Sequence, residues 1–182
     1  MATTVNGQKV IEVGDYSGPG PRLRKWKIPG TDRYLILRDG AMGFLLVHLA
    51  VWFDQEIERL DRRGEVWDEW GHAVRPVRGQ TSGYSQHAGG VAEDLNATLH
   101  PRGVSIRKTF TNKQIRKIRR RMKLYNGVIR WGGEWNIPDG MHFEIAPVSS
   151  KKCDRVARLL LLTPIGRRIT RLNPGSKKAI KS

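Results

Sequence analysis

Several features that define whole classes of protein are scarce in this sequence of 182 residues. A single cysteine, Cys153, excludes a disulfide framework and a cysteine-rich zinc finger. The longest apolar stretch, Ala41–Phe53, has thirteen residues, and a bilayer span takes about 20. The first ten residues lack the charged and apolar regions of a signal peptide. We therefore expect a chain that is made in the cytoplasm and has no membrane span.

Acidic residues are few relative to basic ones, 17 against 33, and the net charge is +16. The excess lies in two segments: residues 102–130 hold eleven Lys or Arg and no acid, and residues 151–182 hold ten against Asp154 alone. Such segments attract polyanions such as nucleic acid, anionic lipid or an anionic wall polymer, or they form solvated helix faces. From charge alone, a nucleic-acid-binding module that uses Lys113–Lys123 is an alternative.

The hydrophobic fraction of 38% is enough for a packed core. Apolar residues at three-four spacing predict a helix over Gly43–Arg63 with charges on its opposite face. Thr111 and Gln114 have the spacing of a capping box and predict a second helix. Short strands are predicted at Tyr34–Leu37, Ala73–Val77, Gly90–Leu95, Val128–Trp131 and Met141–Ile145. Helices separate from a small antiparallel sheet indicate an α+β fold.

The chain divides into three predicted regions. Residues 1–27 are rich in Gly, Pro and Ser and indicate an irregular arm. Residues 28–148 contain the predicted helices and strands and form the domain. Residues 149–182 form a basic C-terminal tail.

Two histidines, His87 and His142, stand in dense polar surroundings. His87 precedes Asp94 by seven residues, and Asp139 precedes His142 by three. Two imidazoles and one carboxylate can hold zinc in three positions and leave the fourth to water, as in a catalytic site. The water then has a pKa lowered toward about 7, and a second carboxylate is needed to take its proton. On spacing alone, polar residues without a metal are the alternative.

Two longer strings around these residues resemble the signatures of a known enzyme family. The first is Ser-x-His-x-x-Gly-x-Ala-x-Asp at Ser85–Asp94, and the second is acid-x-x-His-Phe-Glu at Asp139–Glu144. Both are similar to those of the D-Ala-D-Ala carboxypeptidase-like zinc peptidases, which include vancomycin-resistance dipeptidases and phage L-alanyl-D-glutamate endolysins. The flanking residues 75–79, 94–96, 100–101 and 130–135 are similar to the endolysin branch, and the resemblance runs from about Ala73 to Ile145.

The resemblance implies a zinc site and a general base. It makes His87, Asp94 and His142 the ligands of one zinc ion and Asp139 the base. Glu134 is the rival base, because related sequences often carry Asp in that Trp-Gly-Gly-acid-Trp loop. Asp139 is favoured because it lies three residues from a ligand, whereas Glu134 lies eight residues away across a loop.

Other matched residues would support this site. The resemblance implies that Ser85 braces His87 and that Glu144 holds the outer nitrogen of His142. It also implies an arginine for the substrate carbonyl and its oxyanion; Arg75 is the better placed candidate and Arg78 is the alternative. The expected cleft-lining residues are Arg78, Trp131, Glu134 and Trp135. The implied fold is hedgehog/D-Ala-D-Ala peptidase-like, with the zinc site on a small antiparallel sheet flanked by helices.

The function that the resemblance implies is a zinc metallopeptidase of the phage endolysin type, with residues 28–148 as the peptidase domain. It would hydrolyse a stem-peptide bond of peptidoglycan, preferably L-alanyl-D-glutamate; a D-Ala-D-Ala carboxypeptidase or dipeptidase is the alternative. We expect a monomer without a specific nucleic-acid partner, released to the wall through a holin pore. The tail from Lys151 is predicted to bind anionic wall polymer, and its deletion is predicted to spare hydrolysis.

Overall fold

A computed structural model describes residues 2–61, 66–77 and 83–180. The strands and helices follow in chain order, with short 3₁₀ turns between some of them. They are β1 (Leu23–Lys27), β2 (Tyr34–Arg38), α1 (Ala41–Glu56), β3 (Ala92–Asp94), α2 (Ile106–Thr109), α3 (Asn112–Leu124), β4 (Ile129–Trp131), β5 (His142–Ile145), α4 (Ser150–Leu161) and α5 (Pro164–Leu172). No helix within the described residues is both long and apolar enough for a membrane crossing.

Two small antiparallel sheets confirm the predicted α+β class. β1 pairs with β2 as a hairpin, and β5 lies between β3 and β4 in the second sheet. In that sheet Asp94 is the register partner of His142, and Ala92 is the partner of Glu144. Since residues directly opposite on neighbouring strands bring their Cβ atoms to about 5 Å, this register places Asp94 beside His142. Ala73–Val77, predicted as a strand, contributes one isolated bridge from Pro76 to Tyr84.

The central element is α1, and it differs from the predicted helix over Gly43–Arg63. It ends at Glu56, and the chain then turns back, with the Leu60 amide donating to the Asp54 carboxylate at 3.0 Å. Glu58 and Arg59, expected on its outer face, therefore follow the helix, while Arg62 and Arg63 lie outside the described residues. Most of α1 is buried, because β1, β2, β5, α4 and α5 all pack against it. A helix that is covered on several sides needs no polar stripe.

The predicted basic tail is a folded part of the same core. α4 and α5 pack on α1 and bury five of their side chains fully or nearly so: Cys153, Val156, Ala157, Leu160 and Ile169. Ser149 and Thr163 begin these two helices, each accepting a backbone N–H with its hydroxyl. Removal of residues 151–182 would expose this apolar surface, so the packing speaks against the expectation that the deletion spares hydrolysis.

The N-terminal arm also packs on the domain, where it flanks the first signature. The Val5 amide donates to the Tyr84 carbonyl at 3.0 Å, and the Ile11 amide donates to the Ala88 carbonyl at 2.9 Å. The predicted capping box is present at the start of α3, where Thr111 and Gln114 exchange side-chain and backbone hydrogen bonds. β1 lies within the region predicted to be irregular.

Candidate metal centre

Three buried side chains converge at one end of β3 and β5. One ligand atom from each of His87, Asp94 and His142 lies within 4.8 Å of the others. Asp94 and His142 face each other across the strand pair, and His87 lies in the 3₁₀ turn Gln86–Gly89 just before β3. Ser85 begins this turn, and its hydroxyl accepts the His87 amide at 3.4 Å. The first signature thus folds so that both of its polar ends meet the second signature.

Each imidazole is held by its outer nitrogen and turns the inner one toward the centre. His87 Nδ1 lies 2.6 Å from the Gly71 carbonyl, which accepts its hydrogen, and His142 Nε2 lies 3.1 Å from Glu144 Oε2. The inner nitrogens, His87 Nε2 and His142 Nδ1, are 3.3 Å apart. They lie 3.3 and 2.9 Å from the two oxygens of Asp94. Two oriented imidazoles and one carboxylate fit a divalent ion such as zinc.

The charges in this cluster favour a cation. Burial opposes the ionisation of Asp94, but His87 and His142 hold its pKa well below the usual range. Burial likewise disfavours the charged form of His142, yet hydrogen bonds to Asp94 and Glu144 raise its pKa to about 10. Without a metal, the centre therefore keeps a proton on His142. A metal ion has to displace that proton, since only the unprotonated nitrogen can bind it.

Glu144 connects His142 to the arm and to β4. Its second carboxylate oxygen pairs with the Arg130 guanidinium and accepts from Asn6 Nδ2 at 3.2 Å. Arg130 also donates to Asn6 Oδ1 at 3.3 Å. Burial raises the pKa of Glu144, but the bonds to His142 and Arg130 outweigh it and lower the pKa. The carboxylate stays charged and fixes the ring of His142.

The centre lies on a cleft of about 810 Å³. Asp139 also lines the cleft and is nearly buried, and its amide donates to the Gly132 carbonyl at 2.9 Å. Its Oδ2 is 3.9 Å from Arg102 Nε, while its buried Oδ1 has no hydrogen-bond partner within the described residues. Burial raises the pKa of Asp139. A buried acceptor facing a polar cleft is suited to a proton from water or substrate.

Two other predicted residues line the same cleft. Arg75 has its Nη2 4.0 Å from Asp94 Oδ2 and keeps part of its side chain exposed. The ring of Trp135 is centred 5.2 Å from that of His142. Arg78, the alternative to Arg75, lies outside the described residues.

Trp131 and Glu134 are placed elsewhere. Trp131 is buried beneath the cleft, stacked on Phe143, and its indole N–H donates to the Gly140 carbonyl at 2.8 Å. Glu134 is exposed and pairs with Arg119 of α3 at 2.8 Å. Neither side chain is among those that line the cleft. Of the two acids proposed as base, Asp139 is the one that faces the cleft.

Sequence reasoning missed several residues around this cleft. Arg102 and Arg130 add two guanidinium groups to that of Arg75, and Trp67 and Trp70 line the cleft from the segment before the first signature. Arg102 stands next to Pro101 in the matched region, but nothing in its spacing distinguishes it from the other basic residues there. Trp67 and Trp70 lie outside both signatures and belong to no periodic pattern.

Comparisons with known proteins bear on the segment that forms the centre. No curated protein and no solved structure matches the chain. Residues 78–145, rather more than a third of the chain, match the family described as D-alanyl-D-alanine carboxypeptidase. This segment contains all three converging side chains, while the arm, α1, α4 and α5 lie outside it. The match supports a relationship to the broad family of D-Ala-D-Ala carboxypeptidase-like zinc peptidases, and the endolysin branch stays a prediction.

Proposed function

We propose that this protein is a zinc-dependent peptidase that hydrolyses a stem-peptide bond of peptidoglycan, preferably the bond between L-alanine and D-glutamate. The observation that carries the proposal is the buried cluster of His87, Asp94 and His142 on a cleft that Asp139 also lines. The three side chains are oriented for a metal, and Asp139 supplies the carboxylate that such chemistry needs outside the ligand set. The family match over residues 78–145 supports the same class of reaction.

Zinc held by these three residues would supply Lewis acidity that activates water and polarises a peptide carbonyl. Asp139 accepts the proton of the attacking water and then donates it to the amine that leaves. Burial raises its pKa, which brings a carboxyl group closer to the neutral pH at which it must exchange protons. Its backbone hydrogen bond to Gly132 keeps the carboxyl group at the edge of the cleft.

Arg75 would bind the carbonyl oxygen as negative charge develops on it. Its guanidinium lies on the cleft within 4.0 Å of the Asp94 carboxylate, on the same side as the candidate ligands. Ser85 and Glu144 would act indirectly, by holding His87 and His142 in place. Replacing such outer partners typically weakens metal retention by about 10- to 100-fold.

The first experiment measures metal content and products together. Purified protein should carry about one zinc per chain, and digestion of isolated peptidoglycan should release peptides with a new amino-terminal D-glutamate. His142→Ala should lose both the metal and the activity, because two ligands hold zinc poorly. Stoichiometric zinc in the double variant His87→Ala/His142→Ala would overturn the site.

The second experiment separates the base from the metal. Asp139→Asn should retain zinc and lose a factor of about 10² to 10⁴ in kcat, because proton transfer is removed. Glu134→Gln is the matched control, since this acid is exposed and pairs with Arg119 outside the cleft. It should keep kcat within about twofold, as expected for loss of an exposed ion pair. An inactive Glu134→Gln beside an active Asp139→Asn would overturn the assignment of the base.

A D-Ala-D-Ala carboxypeptidase is the second candidate, and the guanidinium groups of the cleft favour it. Arg75 and Arg102 both line the cleft near the acids Asp94 and Asp139. Guanidinium groups bind carboxylates well, and a carboxypeptidase has to recognise a terminal one. Release of free D-alanine, without new D-glutamate termini, would favour this reaction.

We also propose that the exposed cations of α4 and α5 attract an anionic wall polymer and that the protein reaches the wall through a holin pore. Lys151, Arg155 and Arg171 are exposed. Replacing all three by Gln leaves the core intact, unlike deletion of the helices. Binding to purified walls at low salt should weaken, while hydrolysis of a soluble muropeptide stays unchanged. Unchanged wall binding would contradict the proposal that these cations bind the wall polymer. Tight binding of nucleic acid with a steep salt dependence would favour a nucleic-acid partner.

A further inference from the structure

One end of the cleft is lined by large aromatic side chains that no part of the proposed mechanism uses. Tyr34, Trp67 and Trp70 are 37%, 48% and 45% exposed and line the cleft that holds His87 and His142. All three lie before the segment that matches the peptidase family. Exposed aromatic side chains gathered at a cleft mark a binding surface more often than isolated ones do.

The Trp67 ring is held in place by a buried arginine that lies against one of its faces. It lies over the guanidinium of Arg33, with 4.5 Å between the Arg33 Cζ and the ring centre. Arg33 is fully buried and is held by the Val66 carbonyl at 2.8 Å and by the Glu69 carboxylate at 3.2 Å. Since Arg33 is inside the protein, the covered face of the ring points inward and the opposite face lies on the cleft side. A ring held in this way loses little freedom when a ligand stacks on it.

Tyr34 extends the same surface. Its ring meets that of Trp67 edge to face, with 5.2 Å between the centres. The ammonium group of Lys25 lies 3.6 Å from the centre of the Tyr34 ring. The Lys25 ammonium therefore covers one face of the Tyr34 ring and places a hydrogen-bond donor beside the aromatic surface.

Trp70 sets the distance from this surface to the candidate metal centre. Its backbone exchanges two hydrogen bonds with Asp94, at 2.9 and 2.8 Å, and the next residue, Gly71, accepts from His87. Trp67 precedes Trp70 by three residues, a separation of at most about 10 Å along an extended chain. A ligand on the aromatic surface is thus within a few sugar or amino-acid units of the candidate metal centre.

We propose that Tyr34, Trp67 and Trp70 form a saccharide subsite that binds the glycan strand of peptidoglycan beside the stem peptide. A pyranose ring presents an apolar face of C–H groups, which stacks on an indole or phenol. Its edge carries hydroxyl and amide groups, which the Lys25 ammonium can bind. The stem peptide joins the glycan through its first residue, L-alanine, so the sugar lies one residue from the bond named above. The subsite rests on the proposed function for its natural ligand.

Binding of a soluble chitin tetrasaccharide tests the subsite without any catalysis. The full chain, with zinc and with a chelator, is titrated by calorimetry. Trp67→Ala and Trp70→Ala should each weaken binding at least about fivefold, the size that stacking on an aromatic side chain carries. Tyr16→Ala is the matched control, because Tyr16 is 47% exposed and lies off the cleft. Absence of binding by the natural chain, or equal binding by all variants, would overturn the subsite.

Hydrolysis provides the second measurement. Trp67→Ala should raise KM for a glycan-linked peptide by a larger factor than KM for the free stem peptide, because only the first substrate carries a sugar. Equal effects on both substrates would overturn the subsite while the peptidase function stands. Saccharide binding without hydrolysis of either substrate would support the subsite and overturn the peptidase function. Thermal melts precede both assays, and Trp67→Leu, which keeps bulk without an aromatic ring, replaces an alanine variant that fails to fold.

Discussion

Acidification should destabilise this protein through one buried histidine of the central helix, His48. Its Nδ1 lies 3.0 Å from the Tyr125 hydroxyl and 3.2 Å from Arg121 Nη2. A guanidinium can only donate, so Nδ1 is the acceptor and Nε2 carries the hydrogen toward the Thr163 hydroxyl at 3.3 Å. A second proton would have to enter at Nδ1, against the positive charge of Arg121. The folded state therefore holds His48 neutral.

The size of the effect follows from the pKa of His48. Burial, and then the charge of Arg121, lower it from 6.5 to about 3. Below pH 6.5 the unfolded chain binds a proton that the folded chain refuses, so stability is lost as the pH falls from 6.5 toward 3. At about 1.4 kcal/mol per pKa unit the loss is about 2 kcal/mol at about pH 5 and reaches about 5 kcal/mol below about pH 3.

Urea unfolding of the natural chain and of His48→Gln, each at about pH 7.5 and about pH 5, measures this term. The difference in the free energy of unfolding between the two pH values should be about 2 kcal/mol larger for the natural chain. Glu69 titrates in the opposite sense, because burial raises its pKa to about 8, but its contribution cancels between the two proteins. An equal pH dependence of both proteins would refute the reasoning.

Three further predictions concern the candidate metal centre. Asn6→Ala should weaken zinc retention by about tenfold, measured by competition with a chelator, because Glu144 loses a donor. Gly132→Ala should lower kcat without loss of zinc, since its new Cβ would lie 2.7 Å from the Asp139 carbonyl oxygen; unchanged kinetics would show that Asp139 need not be held there. Removal of zinc should cost about 4 kcal/mol if the ion is present at about a thousandfold over its Kd, which is about 10 °C in the melting temperature.

The local elements that follow short-range rules were predictable. β3, β4 and β5 lie within the predicted runs, β2 extends one residue beyond its run, and the capping box of Thr111 begins α3 as predicted. These elements depend on neighbours within a few residues, so the pattern contains the needed information. The two signature strings also led directly to His87, Asp94 and His142, which the fold brings together.

The errors have a common cause in long-range packing. The end of α1 depends on Leu60 turning back to Asp54, and the burial of α1 depends on α4 and α5, which arrive about a hundred residues later. The same helices looked like a solvated tail because they carry seven basic residues and one acidic residue, Asp154. Cys153 and Ile169 are buried among those charges, and only the neighbouring helix explains why.

The site could be predicted in part for the same reason. The signatures define groups that lie within a few residues of a ligand, such as Ser85 and Glu144. They say nothing of Asn6, which reaches Glu144 from the other end of the chain, or of Trp67 beside Arg33. Spacing favoured Asp139 over Glu134 as the base, and the pairing of Glu134 with Arg119 supports the same choice.

The hydrogen bonds of the N-terminal arm have a consequence for how the centre can be observed. Val5 and Ile11 donate to Tyr84 and Ala88, which lie on either side of His87 in the chain. Their amide hydrogens can exchange with solvent only when the arm lifts from the turn that carries His87. Hydrogen-exchange mass spectrometry of a peptide that contains Val5 and Ile11 would therefore report, without a label or a substrate, how firmly the turn is held. If added zinc slows this exchange, a zinc titration would give the affinity of the unmodified chain for zinc.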